Sequence, residues 1–234
     1  MTFHAELLPT PLPAEPLALL AAWFDTAVRS RTQPNPNAMV LATADAHGAP
    51  SARVVLCKDL QAPAGYVTFF TNYDSRKGRE LAVNPRAAAV MHWDALHRQV
   101  RLEGNISRTS AAESDAYFAS RAWQSRLSAV ASAQSAPIES RAAMENAIEA
   151  AAARLGTPSP LRPESATPDP GVAIPRPAHW GGYHLWLSAV ELWAEGAGRL
   201  HDRARWERTL HSAAAGLDAG PWDAGPWRAT RLQP

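Results

Sequence analysis

A single cysteine, Cys57, stands among the 234 residues, so no disulfide can close within the chain and no cysteine-based metal cluster can assemble. It lies in the apolar run Val54-Val55-Leu56-Cys57, where a thiol behaves as a small buried hydrophobe rather than a nucleophile. Excess charge of either sign is also missing: 23 Lys and Arg stand against 22 Asp and Glu, leaving a formal +1. Sequence-independent binding to a phosphate backbone needs an extended cationic surplus. No nucleic-acid partner is therefore expected, and any anion site is local. No stretch is apolar for long enough to span a bilayer, and Met1 to Glu6 lacks the basic start of a secretory signal. No membrane partner is expected, no metal site is expected, and the expected compartment is the cytoplasm. There is no internal repeat. What is present is 46% hydrophobic content, enough for one substantial core. The chain reads as one domain over 1–234, with a flexible N-terminus at 1–15 and a Pro-rich insertion at 157–177.

Periodicity organises the rest. Leu19, Leu20, Trp23, Phe24 and Ala27 recur at helical spacing, which predicts an amphipathic helix over Pro16 to Arg29. Met39 to Thr43 and Ser51 to Cys57 read as a hairpin about the turn Ala46 to Pro50. A second turn around Pro63 and Gly65 leads into Tyr66 to Asn72, rich in aromatic and β-branched residues. Further strands are expected over Ala87 to Trp93, Gln99 to Ile106, Tyr183 to Leu187, Ala189 to Trp193, Arg199 to Trp206 and near Trp227 to Leu232. Short strands at regular spacing predict a mainly β fold with helices, an antiparallel sheet or small barrel. Ser110 with Glu113 forms a capping-box start for a helix to about Arg121. Ile138 to Leu155 reads as a second helix, with Gly156 placed to end it. Thr157 to Pro177 is rich in Pro, Ser, Thr and Ala and predicts a surface linker with little regular structure.

Three clusters carry chemistry. In Arg199-Leu200-His201-Asp202-Arg203, strand alternation would set Arg199, His201 and Arg203 on one face. Like charges at that spacing repel unless something anionic or electron-rich docks there. In Asn72-Tyr73-Asp74-Ser75-Arg76-Lys77-Gly78 a strand gives way to a helix capped by Ser75, so unpaired N–H groups sit beside two adjacent cations. That arrangement suits a phosphate. Tyr117 and Arg121 are four residues apart, and Ser125 extends their stripe if the helix persists. A phenol, a guanidinium and a hydroxyl on one face suit a small phosphate ester. Arg53 and Lys58 bracket a strand with opposite parity, so either they serve different groups or the strand ends before Lys58. Gln99, Gln134 and Ser135 add neutral donors and acceptors in apolar or alanine-rich surroundings.

In this order, these segments resemble one family, the pyridoxamine 5'-phosphate oxidases, FMN enzymes with a split β-barrel fold. The matching runs are Asn37-Ala38-Met39 with Leu41-Ala42-Thr43, Arg53 to Lys58, Phe70 to Tyr73 with Ser75 to Gly78, Arg98 to Arg101, and Tyr117-Phe118 with Ser120-Arg121. They continue through Gln134-Ser135, His179 to Tyr183 and Arg199 to Arg203. Several ordered motifs across most of the chain are far more specific than any one alone.

The resemblance implies an antiparallel FMN-binding split barrel with peripheral helices, acting as a homodimer with FMN sites at the subunit interface. It implies that Arg53, Arg76 and Lys77 hold the FMN phosphate, with Ser135 nearby. Val54, Val55, Lys58, Phe70, Thr71, Gln99, Gln134, Trp193 and Arg203 would surround the cofactor. Lys58, Tyr117, Arg121 and Ser125 would clamp the substrate phosphate, and Arg199, Leu200 and His201 would lie against the pyridine ring, with Arg199 and His201 catalytic. The implied reaction oxidises C4' of pyridoxine or pyridoxamine 5'-phosphate, with O2 as acceptor. Departures from the family pattern fall at Ala122-Trp123-Gln124, at Ser128-Ala129-Val130, beside Trp193 at Leu192 and Ala194, and in Met1 to Glu15. They predict a reshaped or wider substrate pocket. Two other readings fit the same motifs: a related FMN oxidase of another ring substrate, of the phenazine-pathway type, and a split-barrel protein that binds flavin without turnover.

Overall fold

The structure is a computed structural model, and it describes residues 7–161 and 171–234 apart from 213, 215, 219 and 221. The chain divides into two compact units, one of residues up to 69 with 80–108 and 183–234, the other of residues 70–79 and 109–182.

The first unit carries a nine-stranded sheet. In chain order its strands are β1 (Ala38–Ala44), β2 (Pro50–Leu56), β3 (Asp59–Gln61), β4 (Tyr66–Asn72), β5 (Arg86–Trp93), β6 (Arg98–Arg108), β7 (Trp180–Ala194), β8 (Asp202–Glu207) and, after a separate pair β9 (Leu210–His211) and β10 (Asp223–Ala224), β11 (Arg228–Leu232). The main path β11-β8-β7-β6-β5-β1-β2 is antiparallel at each step, and β4 joins β3 to β7. Apolar residues on alternate positions supply the core: Met39 and Leu41 of β1, Ala89 and Met91 of β5, Val100 and Leu102 of β6. Helix α1 (Leu17–Ser30) brings Leu20 and Trp23 into it, and the Phe24 ring meets Trp93 edge-on. At the β6 bulge between Glu103 and Gly104 a Cβ would fall 1.8 Å from the Trp186 carbonyl oxygen, so only glycine fits. Of the N-terminal stretch expected to be flexible, residues 1–6 lie outside the described residues. Leu8 is buried and donates its N–H to Asp202 Oδ2 at 2.9 Å.

Register matters for function. Gln99 of β6, Trp193 of β7 and Arg203 of β8 are directly opposite one another, so their side chains share one face in one row. Two residues along, Arg101, Glu191 and Arg205 form the next row on that face.

The second unit holds the start of α2 (Arg76–Val83) and the helices α3 (Ala111–Ser120), α4 (Trp123–Ala131) and α5 (Arg141–Leu155). Phe118, Trp123, Leu127, Ala129, Ala151, Ala152, Ile174 and Trp180 form its core. Ser110 Oγ accepts the Glu113 N–H at 3.1 Å, as the capping-box reading requires.

Sequence and structure part in six places. The segment 199–203 is not one strand: Ala197–Arg199 is a 3-10 turn, Arg199 is left-handed at φ 64°, and β8 starts at Asp202. Helix α3 does not persist through Arg121, which is extended (φ −76°, ψ 151°), and a separate helix, α4, follows it where the sequence predicts none. Helix α5 begins three residues later than expected, at Arg141, because Ser140 caps it by accepting the Ala143 N–H. The two strands expected over 183–193 are one strand of 15 residues, and short β3 was missed. The flanks 157–161 and 171–177 of the Pro-rich stretch hold no helix or strand, as expected, and residues 162–170 lie outside the described residues.

Candidate active site

In the first unit Arg53 is held in a polar cluster. Its Nη1 donates to Thr43 Oγ1 and its Nη2 to Ser51 Oγ, while buried Glu80 faces Nη2 at 3.4 Å. Glu80 Oε2 also accepts from Thr43 Oγ1 at 2.5 Å and Ser51 Oγ at 2.6 Å. A carboxylate bound this way orients the guanidinium and neutralises part of its charge. Val54 is 64% exposed and Val55 half-buried. Strand β2 ends at Leu56, so Lys58 lies beyond it on an exposed loop position, and the parity conflict with Arg53 resolves in favour of an early strand end.

The row Gln99, Trp193 and Arg203 collects three residues that the resemblance assigns to the cofactor. Arg203 Nε donates to Glu191 Oε1 at 2.9 Å. The His201 ring lies 4.7 Å from Trp193, tilted by 44°, and its Nδ1 accepts the Gly196 N–H at 3.3 Å. With Nδ1 accepting, the neutral imidazole carries its proton on Nε2 and presents a donor there. Arg199 and Leu200 are exposed, Leu200 at 78%. The left-handed backbone at Arg199, uncommon for a side-chain-bearing residue, turns the chain before β8. The expected shared face of Arg199, His201 and Arg203 therefore does not arise by strand alternation, since Arg199 lies in a tight turn and His201 precedes β8.

In the second unit Lys77 is buried. Its ammonium donates to Gln134 Oε1 at 2.8 Å, Thr71 Oγ1 at 3.0 Å and Ser75 Oγ at 3.1 Å. Ser75 Oγ in turn accepts the Gly78 N–H at 3.3 Å, confirming it as the cap of α2. Arg76 is exposed. Gln134 and Ser135 occupy the centre of a turn closed by Ala136 N–H to Ala133 O at 3.0 Å, and Ser135 has φ 72°, as the third position of a type II turn demands. Thus Thr71, Ser75, Lys77 and Gln134, far apart in sequence, meet around one ammonium.

Phe70, Tyr117 and Trp180 stack in parallel: Phe70 lies 3.9 Å from Tyr117 and 5.7 Å from Trp180. The Arg121 guanidinium lies 4.7 Å from the Trp180 ring centre and 5.6 Å from that of Phe118, a favourable cation–π placement. Burial holds the Arg121 pKa below the ordinary arginine value, yet the group stays charged. Its Nη1 is buried with no hydrogen-bond partner among the described residues. Tyr117 and Arg121 are thus brought together by Trp180 and not by a continuous helix stripe, and Ser125 is an exposed residue of α4. Of the family departures, Trp123 packs into the helical core, Val130 packs against it, and Ser128 is exposed.

Three contributors were not assigned from the sequence: Glu80, Glu191 and Trp180. Glu191 had a legible signal, a carboxylate inside the apolar run Ala189 to Trp193, which demands cationic partners on neighbouring strands. Cys57 is buried as expected, its thiol donating to the Asp59 carbonyl at 3.3 Å, and burial pushes its pKa up to about 12. No thiolate is available for chemistry.

Known proteins place this geometry in a family. Residues 24–154 match pyridoxamine 5'-phosphate oxidase, and residues 180–234 match the pyridoxine 5'-phosphate oxidase C-terminal dimerisation region. The chain is 48% identical over 200 residues to a pyridoxine/pyridoxamine 5'-phosphate oxidase of Herminiimonas arsenicoxydans, covering 86% of each chain. It is 43% identical over 229 residues to the protein of that name in Polynucleobacter asymbioticus, covering 98% of this chain and 93% of the relative. Among solved structures it resembles PhzG from Burkholderia lata 383 in complex with tetrahydrophenazine-1-carboxylic acid, with TM-score 0.76, 31% identity, and coverage of 95% and 94%. An FMN-binding protein from Nostoc punctiforme, at 14% identity and TM-score 0.65, shares the fold. The sheet and its helices are thus the FMN-binding split barrel, and the chain belongs to the pyridoxamine 5'-phosphate oxidase family of FMN-dependent oxidoreductases.

Proposed function

We propose that this chain oxidises pyridoxamine 5'-phosphate or pyridoxine 5'-phosphate to pyridoxal 5'-phosphate, as a homodimer with FMN sites at the subunit interface. The carbon C4' becomes an aldehyde while O2 is reduced to H2O2, and the amine substrate also consumes water and releases ammonia. FMN, when bound, supplies the two-electron redox chemistry; the protein supplies position and field.

The residues present fit that cofactor. A buried ammonium ringed by hydroxyl and amide oxygens at a capped helix start is suited to a phosphate monoester. Lys77, Arg76, Arg53 and Ser135 hold the FMN phosphate in this reading, and Val54, Val55, Lys58, Phe70, Thr71, Gln99, Gln134, Trp193 and Arg203 contact the remainder. Lys58, Tyr117, Arg121 and Ser125 bind the substrate phosphate. Arg199, Leu200 and His201 orient the pyridine ring, with the Nε2 proton of His201 and the cation of Arg199 directed at its electron-rich atoms.

The observation that carries the substrate class is the Nη1 of Arg121, buried and without a hydrogen-bond partner among the described residues. A charged donor out of water without an acceptor is costly, and a phosphate oxygen removes that cost while Trp180 fixes the guanidinium plane. Arg121→Ala is expected to raise KM for pyridoxine 5'-phosphate by about 10- to 100-fold, the worth of one or two charge-assisted hydrogen bonds, with FMN affinity unchanged. An unchanged KM would remove Arg121 from the phosphate site.

The likeness to PhzG favours a second reading, oxidation of a reduced phenazine carboxylate. Faster turnover of tetrahydrophenazine-1-carboxylic acid than of pyridoxine 5'-phosphate by the purified protein would establish it.

A further inference from the structure

Glu191 lies in the middle of β7 and is 3% exposed. Three arginines surround it: Arg203 Nε at 2.9 Å from Oε1, with Arg101 Nη1 at 3.5 Å and Arg205 Nη1 at 3.9 Å from Oε2. The three are not equivalent. Arg205 is held bidentately by Glu103, at 2.8 and 2.9 Å, and Arg101 also reaches Glu103 at 3.3 Å. Only Arg203 gives its short hydrogen bond to Glu191, and it does so through Nε. Among the described residues the two terminal amines of Arg203 have no hydrogen-bond partner, although the side chain is only 30% exposed.

A carboxylate that binds a guanidinium at Nε fixes its plane and leaves the terminal fork to a second acceptor. Arg203 lies directly opposite Trp193, which lies opposite Gln99, so the fork belongs to the row assigned to the cofactor. Glu191, one row away on the same face, is screened from solvent by the arginines around it.

We propose that Glu191 is the positioning residue for Arg203, holding it by Nε so that its terminal amines meet the oxygen and nitrogen acceptors of the flavin. This rests on the reading of Arg203 as a flavin contact. A carboxylate that merely neutralised three arginines would stabilise the sheet without touching cofactor affinity, and the two roles separate experimentally.

The test is FMN affinity of the apo-protein, measured by quenching of flavin fluorescence. Glu191→Leu is expected to raise the FMN Kd at least about tenfold, and Glu191→Gln, which keeps an acceptor oxygen in place, by no more than about threefold. In an Arg203→Ala background Glu191→Leu should add less than about twofold, because the group it positions is gone. Glu103→Gln breaks a comparable ion pair on the same face and should leave the Kd within about twofold. Arg203→Lys keeps the charge but has a single ammonium to give to Glu191, and is expected to bind FMN as weakly as Arg203→Ala; this comparison decides the matter should Glu191→Leu not fold. An unchanged Kd in Glu191→Leu, full additivity in the double variant, or wild-type affinity in Arg203→Lys overturns the proposal. Wild-type affinity in Arg203→Ala overturns the flavin assignment of Arg203 itself, and this inference with it.

Discussion

At Arg199 two demands meet in one residue. The backbone is left-handed at φ 64°, which favours glycine, whereas the proposed chemistry needs a cation. Arg199→Gly separates them: the melting temperature is expected to stay within about 2 °C of wild type, a change of under about 1 kcal/mol for a chain of this size, while flavin reduction at saturating substrate slows by more than tenfold. A stability loss with retained rate would make Arg199 structural. Cys57 gives a pH prediction. Its thiol stays protonated in the folded protein up to about 12 against an ordinary 9.0, so between those values the unfolded chain has lost a proton that the folded chain keeps. Stability then falls as pH rises, by about 1.4 kcal/mol per unit from this group. Urea midpoints at pH 9 to 10.5 should decline more steeply in wild type than in Cys57→Ala; parallel declines would contradict the burial argument. The residue types at these positions were legible in the sequence, but the left-handed turn at Arg199 was not. Three basic residues at alternate positions look like one face of a strand until Gly196 and Gly198 are allowed to fold the chain back.

Among the elements, strands were read well where β-branched and aromatic residues alternate, and Tyr66–Asn72 agrees residue for residue. Helices are legible where a cap marks them, as Ser110 marks α3 and Gly156 the end of α5, but α4 has no side-chain cap, and the helical path that would have carried the stripe of Tyr117 and Arg121 on to Ser125 breaks at Arg121. What assembles Tyr117 and Arg121 is the Trp180 ring, a long-range contact that no local spacing encodes. The Lys77 site is similar; Ser75 and Lys77 were visible as a capped helix start, but Gln134 arrives from a distant turn. Helix α2 supplies a sharp test. A Cβ on Gly78 would lie 1.9 Å from the Tyr73 carbonyl oxygen, so the clash outweighs the roughly 1 kcal/mol by which Ala ordinarily improves a helix. Gly78→Ala should lower stability to urea and weaken FMN binding together, by moving the turn that carries Ser75 and Lys77. A more stable protein with intact FMN binding would show that the loop yields freely.

For the whole chain, near-neutral net charge alongside clustered Arg, Lys and His side chains fits the proposed local binding of the flavin phosphate and a phosphorylated substrate. The match of residues 180–234 to a dimerisation region agrees with the homodimer that the sequence resemblance implied. The family was legible because its motifs are short, ordered and spread across the chain. The substrate was less so, because the residues that differ from the family pattern, Trp123 among them, are read only once packing shows which enter the core. No described helix is long and apolar enough to cross a membrane. Mixing the FMN-loaded protein with pyridoxine 5'-phosphate in the absence of oxygen, while following the flavin's visible absorbance, tests the proposed oxidation. The proposed oxidation predicts bleaching, with pyridoxal 5'-phosphate formed in amount equal to the flavin while oxygen is excluded, and return of the colour once air is admitted and the substrate is spent. A spectrum that stays oxidised in the presence of saturating pyridoxine 5'-phosphate would contradict it.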